Sequence, residues 1–173
     1  MEETPEQYTT RILGYVEGKK PLQILRQTPG KIRRLLKGVR PEFLKKKSTH
    51  DSWSSAEILA HLADSELVMA FRLRLVLGSN GVTVQAFDQN AWARYSKYPR
   101  IDPHKSLERF SVLREGNVEL LKKIPADMWN YHGMHTERGK ESVTRMVEMF
   151  AGHDLNHFAQ LKHLISSFGT SRR

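Results

Sequence analysis

The sequence predicts an all-α protein folded as a four-helix bundle with long crossover loops. Apolar residues recur at helical spacing along most of the chain, the principal segments carry recognisable caps or stops, and no strand-like alternation competes. At 173 residues the chain suits one domain with a substantial core, and it is short for two. We therefore expect a single helical domain over 1–173, its core spanning roughly 20–168.

Each element has its own signal. Tyr8, Ile12, Tyr15 and Val16 mark an N-terminal segment that ends near Gly18, and Leu22, Ile24 and Leu25 mark a second piece. Thr28-Pro29 reads as a restart, with Thr28 as N-cap and Pro29 in the first helical position. Ile32, Leu35, Leu36 and Val39 continue its apolar side towards Gly38 and Pro41. Ser54-Ser55-Ala56-Glu57 is a capping box, opening a helix that carries Ile58, Leu62, Met69, Leu73 and Val76 and stops at Gly78. A connection from Ser79 to Ile101 follows, long enough to be functional or a crossover. Asp102-Pro103 opens the third principal helix, with Leu107, Phe110, Leu113, Leu120, Leu121 and Ile124, closed by Pro125. A second loop, Asp127 to Lys140, leads to Ser142, the expected cap of the last helix.

Composition narrows the function classes. Hydrophobic residues at 39% and charged residues at 27% suit a soluble globular chain rather than a disordered one. No apolar run approaches the roughly 20 residues needed to span a bilayer, and the acidic start Met1-Glu2-Glu3-Thr4-Pro5 is unlike a signal peptide, so a cytoplasmic location is expected. With no cysteine, disulfides, thiolate ligands and a cysteine nucleophile are excluded; any metal must be held by nitrogen and oxygen, and any thiol must arrive with a substrate. The net charge of +9 permits anionic partners, but the density of Lys and Arg from Lys31 to Lys47 reads first as a solvated basic face.

The chemistry-bearing stretch is Gly152-His153-Asp154-Leu155-Asn156-His157-Phe158-Ala159-Gln160. Its histidines are four apart, about 40° round a helix from each other, so both imidazoles reach one point. They interrupt an apolar stripe of Val143, Met146, Val147, Phe150, Leu161, Leu164 and Phe168. Imidazoles facing a core need partners, either hydrogen bonds or a metal, and a metal asks for a third ligand. His61, one turn into the second principal helix, borders the stripe of Ile58, Leu62 and Ser65 and can point into the bundle. Three imidazoles would leave coordination positions open, the mark of a catalytic site.

From Trp53 to Leu164 the chain carries an ordered set of motifs: Trp53-Ser54, Glu57-Ile58, His61-Leu62, Asp64-Ser65-Glu66 and Arg72, then Phe87-Asp88-Gln89 and Trp92. The set continues in Gly133, His135 and Gly139 and closes with Gly152-His153-Asp154, His157 and Gln160. In this order the motifs resemble the DinB-like superfamily of small metal-binding four-helix bundles. The resemblance implies a metal triad of His61, His153 and His157. It also implies a metal-dependent transferase or hydrolase in which a divalent ion activates an exogenous thiol or water for a small-molecule substrate, and a homodimer. Three imidazoles do not select the metal: zinc or nickel is expected, and iron or manganese also accepts nitrogen ligands.

Around the triad, Asp154 is either an acceptor that steers an imidazole or a surface partner of Lys140 or Arg145. Gln160 lies about 20° from His153 on the wheel and faces the same side. Asp88 and Trp92 are candidates for the pocket wall or for ordinary capping and packing. His135 sits in the second loop without a visible partner. Glu57 is explained by its capping box. The competing reading is a non-enzymatic basic helical protein that binds nucleic acid; it rests on charge alone, since no helix-turn-helix, zinc finger or aromatic-basic platform is present.

Overall fold

The computed structural model describes residues 3–50 and 52–168, so the expected domain ends at 1–2 and 169–173 lie outside the described residues. Helix α1 (Pro5–Gly14) opens on a capping box in which Thr4 and Gln7 satisfy each other's backbone. It is followed by α2 (Pro21–Leu36), a four-residue α3 (Pro41–Leu44) and α4 (Ser55–Gly78). The connection beyond α4 holds β1 (Thr83–Val84) and α5 (Gln89–Tyr95), then a 3-10 turn at Tyr98–Arg100. Helix α6 (Pro103–Lys123), a 3-10 turn at Ala126–Asn130, β2 (His132–His135), β3 (Gly139–Ser142) and α7 (Val143–Phe168) complete the order.

Helices α2, α4, α6 and α7 make the bundle. α4 packs on α6 and α7, and α2 on the same two, so α2 sits diagonally from α4 and α6 from α7. Consecutive helices on a diagonal need crossovers, which explains the segments joining α2 to α4 and α6 to α7. The connection from α4 to α6 joins neighbours and is long for another reason: it lies over the site described below.

Two features depart from the sequence reading. Strands are present: β1 pairs in parallel with β2, which pairs antiparallel with β3. The strands are two to four residues long, too short for alternation to register, and Gly133 lets β2 approach closely, since a Cβ there would stand 2.4 Å from Val84 Cγ2. Second, Pro29 does not restart a helix but lies inside α2, buried, with Thr28 Oγ1 donating to the Ile24 carbonyl at 2.9 Å. A proline here leaves the carbonyl four residues earlier, that of Leu25, without its usual donor. Arg114 Nη1 supplies one at 3.0 Å.

The core divides in two. One cluster holds Leu25, Met69, Leu73, Val118, Leu121 and Val147. The other holds Ile32, Leu59, Leu62, Phe110, Leu161 and Leu164. Between them runs a polar layer. Arg114, 2% exposed, donates through Nη2 to Glu66 at 2.7 Å and to Asp154 at 3.0 Å, and Asn117 Nδ2 donates to Glu66 Oε1 at 2.7 Å. One guanidinium thus ties α6 to α2, α4 and α7, and its two carboxylates hold its pKa above the ordinary arginine value despite burial.

Candidate metal centre

Helix α4 starts where expected: Ser54 Oγ accepts from the Glu57 amide at 3.3 Å, and Glu57 Oε2 accepts from the Ser54 amide at 2.8 Å. Glu57 also pairs with Lys47 at 2.9 Å, so it is committed to structure, as its capping box implies. One turn on, His61 is 2% exposed and lies under Trp53, their rings 4.8 Å apart. From α7, His153 Nε2 comes within 2.9 Å of His61 Nε2 and 3.1 Å of His157 Nε2. The ligand atoms of all three lie within 4.8 Å of one another.

Protons satisfy this convergence poorly. A neutral imidazole carries one N–H, so a single His153 Nε2–H would have to be shared between two facing Nε2 atoms, with Ser65 Oγ at 3.3 Å as a further donor to His61 Nε2. Burial pushes His61 and His153 well below the ordinary histidine value, with neighbouring imidazoles adding to the effect. Burial also lowers His157, to about 4, against the opposing pull of its Gln160 hydrogen bond. All three are therefore neutral near pH 7, with lone pairs free for a cation. Gln160 Oε1 lies 2.8 Å from His157 Nδ1 and accepts its proton, which leaves His157 Nε2 as a lone pair facing the cluster. Nitrogen donors in this number fit a divalent transition-metal ion.

The remaining sequence candidates take different places. Asp154 neither steers an imidazole nor pairs at the surface with Lys140 or Arg145: it is 1% exposed and bound to Arg114. It lies 100° round α7 from His153, which turns it away from the imidazole. Asp88 caps α5, its Oδ1 accepting from the Asn90 and Ala91 amides at 2.9 Å, and also lines a cleft. Trp92 backs that wall by packing on Phe87, ring centroids 5.1 Å apart. His135 is 3% exposed, and its Nδ1 accepts from the Glu137 amide at 3.2 Å. Its proton is thus on Nε2, buried and without a partner. Burial, Arg138 and Arg72 lower it to about 4.

The cluster opens on two sides. A cleft of about 780 Å³ reaches His153 and His157, with Tyr8, Arg11, Trp53 and Gln160 on its walls. On the other side His61, Ser65 and His153 face a passage of about 80 Å³, shared with Tyr8 and Arg72. Tyr8 belongs to α1, whose own sequence carries no sign of a place beside the cluster. Its approach depends on Gly152: a Cβ there would stand 2.1 Å from the Ile12 carbonyl oxygen. The Gly152-His153 pair was legible as a motif, but α1 as its neighbour was not.

A four-helix bundle whose two facing helices bring three neutral imidazoles together defines a class of small helical proteins with a three-histidine centre. The family model of the DinB superfamily matches residues 24–161, and the chain belongs to that superfamily. A protein of Oceanobacillus iheyensis, provisionally named a metal-dependent hydrolase, is 30% identical over 73% of this chain and 72% of its own. YfiT of Bacillus subtilis, also provisionally named a metal-dependent hydrolase, is 23% identical over 87% of this chain and 85% of its own. Its solved structure, described as having an unusual four-helix bundle topology, superposes with a TM-score of 0.80, covering 98% of this chain and 92% of that one. The mycothiol-dependent maleylpyruvate isomerase shares the fold at a TM-score of 0.67 and 11% identity, over 82% of this chain and 59% of its own. Among the described residues, no helix is long and apolar enough to cross a membrane.

Proposed function

We propose that this chain is a metal-dependent enzyme in which His61, His153 and His157 hold a divalent ion, zinc or nickel, and act on a small molecule with an exogenous thiol or water. The meeting of three Nε2 atoms, His153 at 2.9 and 3.1 Å from its neighbours, carries the proposal, because one cation would satisfy all three lone pairs at once. A bound divalent ion supplies Lewis acidity, lowering the pKa of water or of a thiol.

The chain's own residues do the rest. Gln160 fixes the tautomer of His157. Trp53 and Phe150 pack on His61 and His153, their ring centroids at 4.8 and 6.3 Å, and give each of the two openings an apolar wall beside the cluster. Neutral imidazoles leave the ion's charge uncompensated, which favours an anionic reactant such as a thiolate. The absence of cysteine requires that thiol to be a separate molecule. The provisional names of the relatives speak for hydrolysis; the shared fold of a mycothiol-dependent isomerase speaks for thiol use, the route we favour.

Elemental analysis of the purified full-length protein is the test, beside His61→Ala and His153→Ala variants whose folding is verified by circular dichroism. About one metal per chain, as a single shared centre requires, and its loss from both variants are the expected results. Protein that takes up no metal after reconstitution with zinc, nickel and manganese refutes the proposal. Turnover of an electrophile with and without a low-molecular-weight thiol then separates transfer from hydrolysis.

A further inference from the structure

Arg72 is on the same face of α4 as His61. Eleven residues separate them, three turns of helix, which returns to within about 20° of the starting direction. Side chains on a helix lean towards its N-terminus, so the Arg72 guanidinium leans back along this face towards Ser65 and His61. All three line the small passage described above.

The arginine is 6% exposed, yet no carboxylate pairs with it among the described residues. One terminal nitrogen donates to the Gln85 carbonyl, and the guanidinium stands 5.8 Å from the centre of the Phe87 ring. Burial and the nearby Arg138 lower its pKa to about 10, so it stays charged at neutral pH. Arg138 is already neutralised, held by both oxygens of Glu141 at 2.7 and 3.0 Å. A buried, charged guanidinium without a counter-ion is costly. Beside it, the Nε2–H of His135 is a buried donor without a partner.

Both residues lie on the wall of a cleft of about 400 Å³, within the usual size of a small-ligand site. Tyr8, Arg72, Phe87, Gln89 and Arg138 line this cleft and also the passage to His61 and His153, so the two share a wall. We propose that Arg72, with His135 and Arg138 beside it, binds a carboxylate of the substrate while the substrate's other end meets the histidine cluster; this rests on the reading of that cluster given above. With one edge of the guanidinium on Gln85, its free edge offers the two parallel N–H groups that a carboxylate accepts. One guanidinium without a paired carboxylate calls for a monoanion, and Glu3, Asp88 and Glu137 on the same wall, with Glu141 nearby, disfavour a phosphate dianion.

The test is calorimetric titration of the zinc-reconstituted full chain with propionate, 3-mercaptopropionate, 2-mercaptoethanol and inorganic phosphate. Propionate and 3-mercaptopropionate are expected to bind wild type and to lose tenfold or more in affinity in Arg72→Gln, the scale of a lost charged hydrogen-bond pair. 2-Mercaptoethanol is expected to bind both alike. Propionate is also expected to bind His61→Ala, so this subsite stands or falls separately from the metal. Arg72→Lys and the more exposed Arg138→Gln, both expected to weaken propionate, decide the matter if Arg72→Gln does not fold. Propionate affinity unchanged in the folded Arg72 and Arg138 variants overturns the proposal. So does Arg72-dependent phosphate binding that is tighter than propionate.

Discussion

Replacing Gly152 by alanine probes how α1 is held against the centre. Alanine is the better helix former by about 1 kcal/mol, so propensity alone favours the variant. Packing opposes it. The new Cβ would stand 2.1 Å from the Ile12 carbonyl oxygen, 2.7 Å from Ile12 Cγ2 and 2.9 Å from its carbonyl carbon, and two of these three atoms belong to the backbone. Relief to 3.0 Å, the lower limit for real Cβ contacts, needs α1 to retreat by roughly 0.9 Å. Overpacking of this kind costs about 1–3 kcal/mol; loss of the full burial of Ile12 costs a similar 1.5–3 kcal/mol. Taking about 3 kcal/mol for the clash, the net destabilisation is about 2 kcal/mol, a fall in Tm of about 4–8 °C for a chain of this size. Thermal unfolding by circular dichroism reads the fall, and hydrogen exchange should show lost protection in α1 while zinc is retained. A Gly152→Ala protein as stable as wild type, with α1 equally protected, would refute the close approach.

Three further outcomes follow from the site and the layer around it. Gln160→Leu removes the acceptor that orients His157, so metal affinity should fall about 10–100-fold with little change in stability, measured by competition with a chromophoric chelator. Arg114→Met leaves Glu66 and Asp154 buried without their cation and should cost about 3–5 kcal/mol in urea unfolding; a cost under 1 kcal/mol would mean the carboxylates find other partners. His135, at about 4 in the folded chain against 6.5 in the unfolded one, stays neutral while the unfolded chain takes up its proton, so stability is lost as pH falls from 6.5 towards 4. Allowing for water in the adjoining cleft, that share is about 1–2 kcal/mol at pH 5, and His135→Asn should remove it; an unchanged pH slope in the variant would contradict this.

The bundle was legible because its helices carry strong local signals: the Ser54–Glu57 capping box, Asp102-Pro103 and the i, i+4 histidines. Where the sequence misled, the deciding partner lay far along the chain. Pro29 reads as a helix start until Arg114, 85 positions on, satisfies the carbonyl it leaves bare. Asp154 reads as a neighbour of His153 until the same arginine claims it. Arg72 stood among the family motifs without a role, although its spacing from His61 was already that of one helix face. β1 to β3 were invisible because each is held by its pairing rather than by its own pattern.

The polar layer divides the core into two hydrophobic clusters, and a layer of well-packed apolar residues would be at least as stable. Its geometry suggests what is gained. His61 and His153 sit on different helices, so the 2.9 Å approach of their Nε2 atoms depends on how each helix is rotated. Arg114, from a third helix, holds Glu66 on α4 and Asp154 on α7 together. Glu66 is five residues from His61, and Asp154 is adjacent to His153, so each anchor lies within about a turn and a half of the histidine it indexes. Apolar packing tolerates small helix rotations because methyl groups have no preferred partner direction; charged hydrogen bonds do not. One guanidinium thus fixes the rotation of both histidine-bearing helices, and the same residue closes the gap that Pro29 opens in α2. The imidazole cluster is held from behind, in the interior of the bundle, which leaves its open sides to α1 and the long connection between α4 and α6.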